Sequence, residues 1–291
     1  MKKLLLILLP LIIFSACKKE KKNDIQNQDT TVVEADTTVK TFYLVPSPDD
    51  IFGFADDQNL TYIEDLLNPI DNVSKYNNTK YQEFNFGVYS ADLAYCAANG
   101  KNEETKKYLQ IVQDLSQKIG LAKVFNASLI NRIEHISPQK DSLISLSNDT
   151  YFDIIRYLDK YQRNSTLSIM AAGGWIECMY IVINQVDYQE DNPTIQKIAD
   201  QKLVLTNLIK FLEQNTSDLG VKDIYDNFKE IYDFYQSLKI EEVNSNTKKT
   251  DDNVFIIGSN HKILINKAEY LKLKELIIQT RNNLTLNNVS Q

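Results

Sequence analysis

Beyond residue 60 the apolar positions return every three or four residues, the spacing that lines one face of an α-helix. Tyr108, Val112, Leu115 and Ile119 form one such stripe, Leu129, Ile130, Ile133 and Ile136 a second, and Tyr151, Ile154, Leu158 and Tyr161 a third. Ile195, Ile198, Leu205, Leu208 and Leu212 make another, as do Val221, Ile224, Phe228, Ile231, Tyr235 and Leu238. The breaks between stripes carry helix-end chemistry. Asn192 before Pro193 places a capping side chain ahead of a proline in the first turn, and Asn126 and Ser217 or Asp218 supply further caps. Gly100, Gly120 and Gly220 suit helix ends or turns. Asn266 followed by Glu269 is a capping-box start for a last helix to about Arg281. Just before it, Val254 to Ile257 and Ile263 to Ile265 flank Gly258-Ser259-Asn260-His261 and predict a small β-hairpin; polar Lys239 to Asn253 predicts a loop. The expected fold is all-α, a multi-helix bundle or irregular helical array with a small C-terminal β-hairpin and final helix.

Two segments depart from the one-sided pattern. Phe84 to Asn99 and Leu167 to Val186 are apolar and rich in small residues, which marks central helices, yet each holds one acid, Asp92 and Glu177. Glycine inside a helix costs roughly 1 kcal/mol relative to alanine, so Gly173 and Gly174 point to a close helix approach. At helical spacing Asn85, Tyr89, Asp92, Cys96 and Asn99 share a face, and so do Gly173, Glu177, Tyr180 and Asn184. If these faces meet, Tyr89, Asp92, Glu177 and Tyr180 line a polar, acid-containing cleft. Two outcomes then separate. Acids facing each other without a cation share a proton, whereas Lys75, Arg156 or Arg163 reaching in would make the arrangement a structural ion pair.

The first 41 residues carry no such helical body. Lys2 and Lys3 lead an apolar run from Leu4 to Phe14, and Ser15-Ala16 precede Cys17. Only about 13 apolar or small residues run from Leu4 to Ala16, short of the roughly 20 that a membrane-spanning helix needs. This stretch resembles the lipobox of bacterial lipoproteins. That resemblance implies a signal peptide over 1–16, lipidation of Cys17, a lipidated tether over 17–41, and anchoring in the cell envelope, most naturally at the outer membrane. Whether the body faces the periplasm or the exterior stays open. Lys18 to Lys40 has no hydrophobic period able to build a core and reads as a leash, leaving one helical domain over 42–291 with a candidate hairpin-plus-helix subdomain at 253–283.

The block from Asn72-Val73-Ser74-Lys75-Tyr76 through Phe86-Gly87-Val88-Tyr89-Ser90-Ala91-Asp92-Leu93, with Gly173-Gly174-Trp175-Ile176-Glu177, resembles a group of helical Bacteroidetes lipoproteins. The resemblance implies an envelope location and carries over no catalytic residue. Residues 89–109 resemble one tetratricopeptide unit, without a second copy at the period of that repeat, which implies a helical hairpin and not a solenoid. Asp29-Thr30-Thr31, Asp36-Thr37-Thr38 and Asp141-Ser142-Leu143 resemble O-glycosylation acceptors of exported Bacteroidetes proteins, which implies Thr30, Thr37 and Ser142 as candidate acceptors.

Charge and composition narrow the partners. With 32 Lys and Arg against 39 Asp and Glu, the chain has a net charge of −7 and lacks the basic surplus that nucleic acid demands. Cys96 and Cys178 remain besides Cys17, so export permits one disulfide between them, with two buried thiols as the alternative. His135 and His261 have no partner at metal-ligand spacing, and no phosphate loop or nucleophile elbow occurs, so neither metal nor cofactor is expected. The leading functional expectation is a membrane-anchored helical module that binds or scaffolds a protein, peptide or glycan of the envelope. The alternative is a small-molecule-binding protein or enzyme using the acidic cleft around Asp92 and Glu177.

Overall fold

The computed structural model describes residues 61–135, 139–242, 248–249, 255–256 and 261–286. The expectations for Cys17, the tether, Thr30 and Thr37 lie outside those residues. Two 3-10 turns, Glu64–Leu66 and Ile70–Lys75, lead into helices α1 (Thr79–Ala98), α2 (Asn102–Lys118), α3 (Ala127–Glu134), α4 (Lys140–Lys160), α5 (Asn164–Gln185), α6 (Pro193–Glu213) and α7 (Leu219–Ser237). Short strands β1 (Ile240–Glu242), β2 (Lys248–Lys249), β3 (Phe255–Ile256) and β4 (His261–Ile263) precede α8 (Lys267–Thr285). The fold is all-α with a small antiparallel arm and a final helix.

Local chemistry accounts for the helix ends. The side chains of Asn192 and Asp218 accept backbone N–H groups of the first turns of α6 and α7, and Asn266 with Glu269 completes a reciprocal capping box on α8. Gly100 and Gly120, at φ of 65° and 76°, take the left-handed conformation that closes α1 and α2. The strands pair differently from expectation. His261–Ile263 pairs with Ile240–Glu242, and Phe255–Ile256 pairs with Lys248–Lys249, so the partner of the strand before α8 comes from the stretch expected to be loop. His261 stands at the start of a strand, opposite Glu242, and not in a turn. Strand pairing is a non-local choice, and turn-like residues at Gly258 to Asn260 did not determine it.

Helices α1 and α5 form the centre and run parallel. Going up the pair, Glu83 meets Thr166, Gly87 meets Met170 and Gly174, Asp92 meets Glu177, and Tyr95 meets Gln185. Their backbones touch. A Cβ on Gly87 would stand 2.7 Å from the Gly174 nitrogen, and one on Gly173 would stand 2.9 Å from the Phe84 carbonyl carbon, closer than real side chains come. The central pair divides the core in two. Phe84 and Val88 of α1 join α5, α6, α7 and α8 around Trp175, Ile198, Phe228, Tyr235 and Leu273. Phe86, Tyr89, Tyr95 and Cys96, on the other side of α1, pack with α2, α4 and the 119–125 connection. Being apolar on nearly every side, α5 is long and apolar enough to cross a membrane, but most of that stretch is buried inside the body, as for a central core helix.

Candidate functional site

The parallel contact brings the two acids together. Asp92 and Glu177 are both fully buried, and Glu177 is the charge that bears most strongly on Asp92. The cation that meets them is Arg281 of α8, not Lys75, Arg156 or Arg163. Its Nε donates to Glu177 Oε2 at 2.9 Å and its Nη2 to Oε1 at 2.7 Å, a bidentate pair with the guanidinium only 4% exposed. The guanidinium carbon sits 4.5 Å from the centre of the Tyr180 ring, adding a cation–π contact. Burial lowers the Arg281 pKa, but Glu177 more than reverses that and holds the guanidinium firmly charged.

The other three expected cations have other tasks. Lys75 donates to Asn72 Oδ1 at 2.7 Å, and Arg156 pairs with Asp153 on the surface. Arg163 donates to the Ile119 carbonyl at 2.7 Å, capping the end of α2, and stands 3.5 Å from Glu83.

A shell of neutral hydrogen bonds encloses the acids. Asp92 Oδ2 accepts from the Asn68 backbone N–H at 3.2 Å, and the Asn68 amide donates to the hydroxyl of Tyr76 at 3.0 Å. Tyr108 donates to the Asn68 carbonyl at 3.0 Å and Tyr89 to the Pro69 carbonyl at 2.9 Å. Tyr76 donates to the Thr285 carbonyl at 3.2 Å, which ties the 3-10 segment to α8. Burial raises the pKa of Tyr76, Tyr89 and Tyr108, so these hydroxyls stay neutral donors. Asp92 Oδ1 alone in this shell finds no conventional donor.

Of the expected cleft residues, the structure therefore gathers Asp92, Glu177 and Tyr180 around Arg281, while Tyr89 belongs to the surrounding shell. Asp92, Glu177 and Arg281 are buried, so they do not line an open cleft. Burial and the neighbouring Glu177 push the Asp92 carboxyl well above the usual carboxylate range, outweighing Arg281 and the Asn68 N–H, which pull it down. No disulfide joins Cys96 to Cys178, and both thiols are buried. Cys96 lies 4.0 Å from the Tyr62 hydroxyl in the core between α1 and α2. Ser142 sits half-buried in the first turn of α4. His135 bonds the Asn131 carbonyl on its own helix, and no group of three or more His, Cys, Asp and Glu side chains among the described residues is placed to hold a metal ion.

No family model, curated protein or solved structure matches the chain. The class that fold and site define is an all-α body clamped by a buried acid–acid–guanidinium junction.

Proposed function

We propose that the protein is a membrane-anchored envelope lipoprotein whose helical body binds or scaffolds a protein, peptide or glycan partner. The observation that carries this reading is the burial of both central acids in the interior, with Glu177 of α5 paired to Arg281 of α8. The lipobox-like Cys17 and the polar leash support the location. The surface of α4 and its C-terminal cap supports the binding role: Phe152 on the helix and Tyr161 at the cap are exposed, with Lys123 and Lys160 Nζ at 5.9 and 5.7 Å from the Tyr161 ring. An exposed ring beside cations, as at Tyr161, suits recognition, because a flat apolar ring and a charge together select a partner.

The test places a photo-crosslinking amino acid at Phe152 or Tyr161 in intact cells, with exposed Lys272 of α8 as control. Discrete adducts at the α4 positions, lost when Cys17→Ser displaces the protein, are expected. Equal labelling at all three positions, or none, refutes the α4 surface. Fatty-acid labelling that persists in Cys17→Ser refutes the anchor. A small-molecule or catalytic site at Asp92 and Glu177 is the second reading, favoured only by the unpartnered Asp92 Oδ1. It requires the junction to open to solvent, since neither acid is exposed.

A further inference from the structure

The junction holds two carboxyl groups and one guanidinium, all removed from water. Glu177 already has Arg281 across both of its oxygens. For Asp92 the surroundings offer little to a second negative charge. From beside the 3-10 turns come Asn68 and Tyr76, with Lys75 held three hydrogen bonds from Asp92, through Asn72 and Asn68. α2 contributes Tyr108, α1 itself Tyr89 and the Cys96 thiol, α5 Glu177 and Tyr180, and α8 Arg281. Among the described residues Arg281 is the sole cation paired with either acid, and its pair is Glu177. One Asp92 oxygen accepts from a backbone N–H, and the other is left buried without any donor. A buried polar atom without a partner is costly, and a carboxylate facing a carboxylate is costlier. A single proton on Asp92 removes both penalties, because the acid then donates to Glu177 and the junction becomes neutral as a whole.

We propose that Asp92 carries its proton in the folded protein and donates it to Glu177, making Asp92, Glu177 and Arg281 a proton-operated latch that fastens α8 to the central helix pair. When the proton leaves to solvent, two carboxylates oppose one guanidinium in a dry site. The strain falls on α8, the element that supplies both Arg281 and the Thr285 carbonyl bound by Tyr76. The direction of the upward shift at Asp92 agrees with this geometry. Its sign for stability follows. The folded state holds a proton that the unfolded chain releases at ordinary carboxylate pH, so stability falls as pH rises from the unfolded value toward the folded one.

The inference is independent of the functional reading above. Its test compares the full-length protein with Asp92→Asn, whose amide mimics the neutral acid, by chemical unfolding over a pH series. Between the two ionisation points the wild-type folding constant should fall about tenfold per pH unit relative to Asp92→Asn, one proton's difference. Hydrogen exchange of α8 should rise with pH in wild type beyond its rise in the variant. A ratio of folding constants that is flat with pH overturns the proposal. Should the variant fail to fold, carboxyl-13C-labelled aspartate in the wild type decides by infrared spectroscopy: a carboxylic-acid band at neutral pH in a fully exchange-protected group supports the latch, and carboxylate bands alone overturn it.

Discussion

Gly173 and Gly174 are neighbours in α5, yet alanine should act on them with opposite signs. A Cβ at Gly174 meets only the Gly87 carbonyl oxygen at 3.7 Å, an ordinary contact. Gly174→Ala therefore keeps the helix-propensity gain, up to about 1 kcal/mol. A Cβ at Gly173 meets the backbone of the facing helix, with the Phe84 carbonyl carbon at 2.9 Å and the Val88 nitrogen at 3.3 Å. Backbone cannot rotate away as a side chain can, so the helices must separate. Overpacking of this kind costs roughly 1 to 3 kcal/mol, and a rigid backbone places it near the upper end. Set against the same propensity gain, the net for Gly173→Ala is a loss of about 2 kcal/mol, or roughly 4 to 8 °C in Tm for a body of this size. Gly87→Ala should behave likewise, since its Cβ would reach the Gly174 nitrogen at 2.7 Å. The double variant Gly87→Ala/Gly173→Ala should lose less than the sum, because one separation of the helices relieves both clashes. Denaturant unfolding monitored by circular dichroism measures all four. If Gly173→Ala matches or exceeds wild type, or Gly174→Ala loses as much as Gly173→Ala, the close-contact argument is wrong.

Arg281→Met should cost about 3 to 5 kcal/mol by stranding the buried Glu177, and Glu177→Gln/Arg281→Met should regain most of it in the same unfolding assay. Gln162 follows α4 at φ 53°, so Gln162→Gly should stabilise by about 1 kcal/mol in thermal unfolding, and no gain would argue against left-handed backbone strain there. Burial and the nearby Asp92 push the Cys96 thiol up to about 12, so Cys96 should resist iodoacetamide at neutral pH until denaturant is added; rapid alkylation of the native protein would contradict the burial. A non-reducing digest should show no peptide linking Cys96 to Cys178.

Helices and caps were readable because their signals are local. The stripe from Val221 to Tyr235 is buried as its spacing demands, and Asn192, Asp218 and Asn266 cap where a short polar side chain precedes a helix. The two apolar, acid-bearing segments also proved central, since a helix with no polar face has nowhere else to go. What escaped was long-range. Arg281 pairs with Glu177 across 104 residues, and nothing near either residue names the other. A signal did exist: Arg281 interrupts the buried stripe of Leu273, Ile277 and Leu284, where an arginine has to find a buried anion. Gly87 was likewise visible as a glycine inside a helical pattern, but its meaning came only from the facing Met170 and Gly174. Asn68 of the 3-10 region lay outside any periodic segment, so its place beneath Asp92 had no sequence signature.

The separation of 104 positions between Glu177 and Arg281 also bears on how the chain is born. Synthesis proceeds from the amino end, so α1 and α5 emerge with their acids well before the guanidinium that pairs with Glu177. Until α8 arrives, closing the central pair would bury an uncompensated carboxylate, and water is the better host for it. A chain halted before residue 281 thus keeps its two innermost helices from sealing, and stays loose enough for proteases to recognise. The last helix in the sequence thereby acts as a completion check on the first.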